Sequence, residues 1–447
     1  MISASTKIQD YLDLIQEHTH TQFALDNFKT CFKEYTSEKT KINLTAFTPY
    51  VEKESYQTLK ETSANLEEKV AIIKLNGGLG TSLNCNQTKS LIPLIGKNSL
   101  FDYFIQQLET FPKDKKPQLI LMNSFYTNTE TLDYLKTKSL DIPVSCIEQS
   151  RYPRLLKTTL APYKNKTTPT QNWNPPGHGE LFSVLYESGT LEKLLREGRE
   201  YLFISNSDNL GATYENKILN HIIQNKLDFL MESTPKTQSD IKGGIIVKEQ
   251  NNIKLIEIAQ VDESQHPLFF NLDQFKSFNT NNLWVKISSL ISCIENKKLI
   301  LDPIYNNKKI DGDQIIQFET AMGSAIQSFE NTDVLSVPRS RFFPIKTIND
   351  VFRLLSDCFE LKNGKINRLN KKDPKKIDIT GAFHSIQDLQ KKCPVIPSLK
   401  NCDSVTLNGP LTCFQSTSLL GHVKISCKTP YDLGQYKTYE NCSLNVN

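Results

Sequence analysis

The stretch Val70-Ala-Ile-Ile-Lys-Leu-Asn-Gly-Gly-Leu-Gly-Thr-Ser-Leu-Asn-Cys-Asn-Gln-Thr-Lys-Ser-Leu-Ile92 decides how the rest of the chain is read. Its first residues, Val70 to Ile73, form a short apolar run with the β-branched content of a strand buried in a parallel sheet. The run leads into Asn76-Gly77-Gly78-Leu79-Gly80-Thr81. Glycines at such a turn permit positive φ and carry no Cβ, so backbone N–H groups can close around phosphate oxygens. Lys89, nine residues past Gly80, supplies a cation within reach of a polyphosphate held there. Two common phosphate loops are excluded. A Walker loop needs Lys-Ser/Thr directly after its last glycine, where this chain has Thr81-Ser82. The dinucleotide fingerprint needs a glycine where Leu83 stands. A Gly-Gly-x-Gly turn alone serves a tight strand-to-helix connection equally well, but strand, turn and trailing lysine together point to nucleotide chemistry.

The run from Lys74 to Thr81, followed by Lys89-Ser90, resembles the nucleotide loop of the UTP–glucose-1-phosphate uridylyltransferase family, the UDP-glucose pyrophosphorylases. The likeness continues in blocks, in the family's order, over most of the chain. It departs inside the loop itself. Leu83-Asn84-Cys85 stands where the family usually has Met-Gly-Cys, and Thr88-Lys89 where it has Pro-Lys. Asn84 still tolerates a left-handed conformation, while Thr88 gives up the rigidity of the proline ring. The expectation is tuned affinity rather than lost activity.

Composition narrows the class. A chain of 447 residues can bury a large core and should hold two or three domains. A net charge of +4 over that length, with its lysines scattered, excludes a nucleic-acid binder, and no basic cluster is interleaved with aromatics. No apolar run reaches membrane-spanning length, and Met-Ile-Ser-Ala-Ser-Thr-Lys lacks a signal-peptide core, so the reading is a cytoplasmic protein with no membrane partner. The ten cysteines include no Cys-x-x-Cys pair, which argues against zinc and redox motifs and for buried, reduced thiols. Asn86-Gln87-Thr88 is a formal glycosylation sequon, but glycosylation inside a nucleotide loop would be harmful.

Taken in order, residues 7–38 carry apolar positions at helical spacing (Ile8, Leu12, Ile15, Phe23, Leu25, Phe28, Phe32) and predict one or two amphipathic helices packed on the main domain. Beyond the glycine loop, Ser99 reads as a helix N-cap supported by Asp102. Pro117–Met122 and Val144–Ile147 read as strands, Thr129–Lys136 as a helix, and Tyr201–Ile204 as the clearest strand of all. Alternating strands and helices predict an α/β fold with a doubly wound, mixed but mostly parallel sheet, whose ligands bind at the carboxyl ends of the strands. The Lys/Asn-rich segment from Leu361 to Lys376 reads as an exposed connection. The short strands after it resemble the start of the family's C-terminal parallel β-helix, with Cys402, Cys413, Cys427 and Cys442 as small inward-facing residues at rung-like intervals. The predicted domains are therefore an N-terminal helical segment (1–60), a nucleotidyltransferase-like catalytic domain (61–370) and a β-helix domain (371–447).

The resemblance then assigns roles, block by block. Leu75, Asn76, Gly77 and Gly78 with Lys89 hold the nucleotide. Gln149, in Gln-Ser-Arg-Tyr-Pro-Arg, contacts the uracil edge, for which an amide offers both a donor and an acceptor. Pro175-Pro176-Gly177-His178-Gly179-Glu180 displays Gly177 toward the nucleotide and His178 toward the sugar phosphate. In Ser205-Asn206-Ser207-Asp208-Asn209-Leu210-Gly211, Asp208 is the Mg²⁺ ligand with Asn206 beside it, since Mg²⁺ takes one or two carboxylates and otherwise phosphate and water. Gly244, Glu257, Asn279 and Asn281 form the glucosyl pocket; Glu257, set among apolar neighbours, needs hydrogen-bond partners that sugar hydroxyls provide. Gln317–Gly323 resembles a helix beneath the site and is assigned to the core. Lys346, in Arg-Phe-Phe-Pro-Ile-Lys, stands against the nucleotide phosphates. The implied activity is reversible, Mg²⁺-dependent transfer of uridylyl from UTP to glucose 1-phosphate by direct in-line attack. The ionised sugar phosphate needs no general base; the obstacle is the repulsion of two polyanions, against which Lys89, Lys346 and the Mg²⁺ held by Asp208 provide positive charge. The alternatives are a broad-specificity UDP-sugar pyrophosphorylase and a catalytically silent UDP-sugar-binding protein. The state, monomer or homo-oligomer, is left open.

Overall fold

The computed structural model describes residues 4–19, 21–37, 41–95, 98–250, 252–369 and 374–447. Helices α1 (Ala4–Gln16) and α2 (Gln22–Thr36) open the chain, the second capped by Thr21, whose side chain accepts the Ala24 N–H. Their apolar stripes meet Tyr152, Leu155, Ile316 and Phe318 of the main body, as the helical spacing predicts.

The main sheet has eight strands. Seven are β1 (Val70–Asn76), β2 (Gln118–Asn123), β3 (Val144–Glu148), β4 (Tyr201–Asn206), β5 (Phe229–Pro235), β6 (Ser277–Lys286) and β7 (Thr332–Ser336), and Glu54–Ser55 forms the edge. Their spatial order is Glu54–Ser55, β7, β5, β6, β4, β1, β2, β3, and only β6 runs against the others. β1 is buried on both faces because its apolar residues alternate between two cores. Val70 and Ile72 pack on one side with helix α3 (Leu100–Glu109), and Ala71 and Ile73 pack on the other with Leu181, Leu185 and Leu194. α3 begins with the expected capping box: Ser99 Oγ accepts the Asp102 N–H, and the Asp102 carboxylate accepts the Ser99 N–H. Helix α4 (Asn128–Lys136) joins β2 to β3. The parallel arrangement brings the carboxyl ends of β1, β2, β3 and β4 to one edge, where the glycine loop, the Gln149 block and the Asp208 block begin.

One expectation is corrected. Gln317–Thr320 is no helix but the last part of a strand, Asp313–Thr320, and a 3₁₀ segment starts only at Met322. Burial holds for Gln317, Phe318, Thr320 and Met322, but not for Glu319, which reaches the cleft described below. The connection after Leu361 is largely exposed and includes a hairpin, in which Phe359–Lys362 pairs with Lys365–Arg368. The boundary placed at 370/371 falls on residues outside those described. Further on, Lys376–Gly381, Ser398–Asn408, Ser418–Cys427 and Thr438–Glu440 lie side by side in parallel, with Ser443–Val446 on the last long strand. Cys402, Cys413 and Cys427 are buried and Cys442 partly so; all ten cysteines are free thiols.

Candidate active site

A cleft with a cavity volume of about 290 Å³ opens at the carboxyl ends of β1 and β4. It is lined by Leu75, Gly77, Gly78, Lys89, Gln149, Gly177, His178, Asn206 and Asp208, drawn from four of the sequence blocks, and by Pro175, Ser207 and Glu319. The second group went unread in the sequence. Pro175 and Ser207 lie within the His178 and Asp208 blocks, beside neighbours of more distinctive chemistry. Glu319 was hidden by the helical reading of its segment.

The glycine turn does not use its torsional freedom: Gly77, Gly78 and Gly80 all have negative or extended φ. What matters is space, since a Cβ on Gly78 would meet nothing within 4 Å, leaving its backbone open to the cleft. The one left-handed residue of the loop is Asn84, at φ 52°, as its identity allowed. Asn76 is corrected. Its amide lies under the loop, donating to Asn123 at 2.8 Å and Thr131 at 3.0 Å and accepting from Ser90, so its side chain faces away from the cleft.

Gln149 is buried beside Gly77, and its N–H is held by the Asn123 carbonyl at 2.9 Å. The Ser150 N–H next to it donates to Glu180 at 3.0 Å, tying the base-side loop to the His178 loop. Burial raises the Glu180 carboxyl to about 7. Gly177 must be glycine. At φ 90° a Cβ would stand 2.4 Å from the Thr320 carbonyl oxygen. His178 accepts the Met322 N–H on Nδ1 at 3.0 Å, so the ring proton sits on Nε2. Burial lowers its pKa to about 4, which keeps the imidazole neutral and a donor at physiological pH.

Lys89 and Asp208 face each other, Nζ to Oδ2 at 2.7 Å, with side chains only 11% and 15% exposed. The other oxygen, Asp208 Oδ1, is buried without a hydrogen-bond partner. A carboxylate with one oxygen unused beside a lysine suits a hard divalent cation shared with phosphate. Among the described residues there is no group of three or more His, Cys, Asp or Glu that could hold a metal by protein ligands alone. The Asp208 carbonyl accepts the Ile345 N–H at 2.9 Å; Lys346, next in the chain, is exposed and is not among the residues that line the cleft.

Gly244, Glu257, Asn279 and Asn281 form a second cluster outside the cleft lining. The Asn279 N–H donates to the Gly244 carbonyl at 3.0 Å, and its amide donates to Asn281 at 2.8 Å. A Cβ on Gly244 would sit 2.8 Å from a Glu257 carboxylate oxygen. The cluster joins the cleft through Met322-Gly323: Met322 holds His178, and Gly323 packs against the Asn279 amide.

The family description of UTP–glucose-1-phosphate uridylyltransferase matches residues 25–419 of this chain. The UTP–glucose-1-phosphate uridylyltransferase of Saccharomyces cerevisiae is 38% identical over 95% of this chain and 89% of its own length. UTP–glucose-1-phosphate uridylyltransferase 2 of Dictyostelium discoideum is 38% identical over 87% of this chain and 79% of its own. Among solved structures, a mutant UDP-glucose pyrophosphorylase of Leishmania major in complex with UDP-glucose superposes with a TM-score of 0.89 at 27% identity, covering all of both chains. The UDP-glucose phosphorylase of Trypanosoma brucei gives 0.87 at 30% identity over 98% of this chain and 99% of its own.

Proposed function

The chain belongs to the UTP–glucose-1-phosphate uridylyltransferase family, and from that membership we infer its reaction: uridylyl passes from UTP to glucose 1-phosphate, giving UDP-glucose and pyrophosphate. An oxygen of the sugar phosphate forms the new bond to the α-phosphorus of UTP in line with the departing pyrophosphate. No proton has to be removed, since the attacking phosphate is already ionised. The obstacle is the approach of two polyanions, so positioning and positive charge provide most of the rate.

The observation that carries the assignment of roles is the Lys89–Asp208 pair at the floor of the cleft, with the open glycine backbone on one side and neutral His178 on the other. In this reading Leu75, Gly77, Gly78 and Gly177 cradle the nucleotide and Gln149 reads the uracil. His178, through Nε2–H, and Asn206 hold the sugar phosphate, while Gly244, Glu257, Asn279 and Asn281 take the glucosyl hydroxyls. Lys89 and Lys346 neutralise phosphate charge. Asp208 would hold Mg²⁺ through its unused oxygen; when bound, the ion screens charge on the phosphates. The sheet reads as doubly wound, the parallel C-terminal strands as the start of a β-helix, and residues 1–60, 61–370 and 371–447 as three units of a cytoplasmic enzyme. The described residues include no helix long and apolar enough to cross a membrane. Neither departure in the loop favours a silent binder: Asn84 caps its turn in the left-handed region and donates to the His384 carbonyl, and the Thr88 N–H finds a carboxylate.

The test is pyrophosphate release from UTP with glucose 1-phosphate, with and without Mg²⁺, alongside galactose 1-phosphate, N-acetylglucosamine 1-phosphate and ATP. Release is expected only with UTP, glucose 1-phosphate and the metal. Lys89→Ala and Lys346→Ala should each lower turnover by about tenfold or more, the scale of one lost charge contact in the transition state, with the circular dichroism unchanged. Near-normal turnover in both would sink these roles.

A further inference from the structure

The arm that carries Lys89 crosses the glycine turn as a narrow antiparallel bridge. Leu79 faces Thr88, flanked by the Gly80 N–H on the Gln87 carbonyl at 2.9 Å and the Lys89 N–H on the Gly78 carbonyl at 3.1 Å. In such a pattern the facing residues exchange no hydrogen bond, so the Thr88 N–H points out of the bridge. Thr88 is fully buried, and water cannot satisfy that donor. Glu130 does, its Oε2 accepting the Thr88 N–H at 2.6 Å, the short distance of a charge-assisted bond.

Glu130 stands on a firm base. It lies in the first turn of α4, where Thr131 Oγ1 accepts from the Asn76 amide at 3.0 Å and Asn128 Oδ1 accepts from the Asn123 amide at 2.9 Å. That turn is thereby fixed to the ends of β1, at whose carboxyl end the cleft opens, and of its neighbour β2. We propose that Glu130 is a positioning residue for the reaction: by holding the Thr88 N–H against α4 it sets where the Lys89 backbone crosses the glycine turn, and so where the Lys89 ammonium meets the nucleotide phosphates. Glu130 touches no cleft surface and acts only through Thr88. The proposal rests on the reading of Lys89 as the cation against the phosphates.

The backbone supplies a selective test. Thr88 has φ −56° and ψ 121°, a φ that a proline ring enforces without any acceptor. Thr88→Pro removes the N–H and with it the need for Glu130. The measurement is kcat and KM for both substrates in the wild type and in Lys89→Ala, Glu130→Ala, Glu130→Gln, Thr88→Pro and Thr88→Pro/Glu130→Ala. Glu130→Ala should lower kcat by about tenfold, the scale of one hydrogen bond to a charged group, with KM for glucose 1-phosphate within about twofold of wild type. Glu130→Gln, which keeps a neutral acceptor, should fall between the two. Thr88→Pro and Thr88→Pro/Glu130→Ala should agree within about twofold, since the mutated pair no longer interacts. If Glu130→Ala does not fold, the same cycle is read with Glu130→Gln. An impaired Lys89→Ala beside an unimpaired Glu130→Ala overturns the proposal alone, as does a glutamate substitution that costs as much with proline at 88 as without it. A near-normal Lys89→Ala overturns the role of the lysine, and this proposal with it.

Discussion

Glu257 carries the clearest pH signature of any single residue here. Burial raises its carboxyl to about 7, and the positive charge of Lys346 pulls it part of the way back. Its folded pKa lies above the unfolded value, so it favours the fold at pH below the unfolded carboxylate range and loses that contribution as pH climbs through about 7. Glu257→Gln removes the ionisation. Relative to wild type, the variant should therefore gain stability as the pH is raised from about 5 to about 8, by on the order of 1–3 kcal/mol. Thermal melts of the two proteins across that window provide the check, and a constant difference would refute the buried-carboxylate account. Glu180 titrates in both proteins and cancels. So does His178, whose lowered pKa affects stability only as the pH falls below the ordinary histidine value. At this scale the sequence led to the cleft wherever side-chain chemistry singled a residue out: Lys89, Gln149, His178 and Asp208 all line it. The sequence was less legible wherever one residue type serves two purposes. Glycine offers both torsion and space, and Gly77 and Gly78 use only the second. Asn76 was legible in principle: neighbours on a strand point to opposite sides, and Leu75 already faces the cleft.

The elements of the site are held by one buried polar network. Arg341 donates to Glu232 on β5, Nε to Oε2 at 2.7 Å and Nη2 to Oε1 at 2.6 Å, and Trp284 Nε1 on β6 donates to the same carboxylate at 2.9 Å. The Arg341 carbonyl accepts from Asn209, whose Oδ1 takes the N–H groups of Gly211 and Phe343. The turn that bears Asp208 and the segment that bears Lys346 are thus clamped to each other and to two strands. Glu232 is fully buried, so removing its counter-charge leaves an anion with no water to solvate it. Arg341→Met should cost about 3–5 kcal/mol, seen as a lowered urea midpoint, and adding Glu232→Gln should recover much of that loss. A midpoint shift equivalent to less than about 1 kcal/mol in the single variant would refute the claim. None of this network was read in the sequence, because its members lie on separate elements and Arg341 looks like any other basic residue of its block. The strand alternation of β1, β2 and β4 was legible, since burial on both faces leaves a continuous apolar run. The strand at Asp313–Thr320 was not, because its polar and apolar residues match no single period.

Across the whole molecule the parallel C-terminal strands pack against the body that carries the cleft. One apolar cluster runs from Val70 and Ile72 of β1, through Phe101 and Phe104 of α3 and Val351 and Phe352, to Ile379, Leu389, Leu407 and Ile425. Polar links follow the same path. Asn84 of the nucleotide loop donates to the His384 carbonyl, Gln387 donates to Cys85 Sγ at 3.9 Å, and Gln390 donates to the Pro93 carbonyl at 3.2 Å. The C-terminal segment therefore backs the nucleotide loop instead of hanging from it on a linker. Two bodies that share a core cannot open independently without exposing that core to water, and the cost grows with the apolar area released. Calorimetry of the full chain should accordingly show one cooperative transition, with loss of the circular dichroism of the main sheet and loss of UDP-glucose binding at the same temperature. The chain ended at residue 369 should expose the apolar face of α3 and the 348–355 helix and accumulate as aggregate rather than as an active catalytic unit. Two separated transitions, or a soluble truncated chain that still releases pyrophosphate at the full rate, would show instead that the C-terminal strands are an appended domain and that the links at Asn84 and Gln387 carry no weight in holding the nucleotide loop.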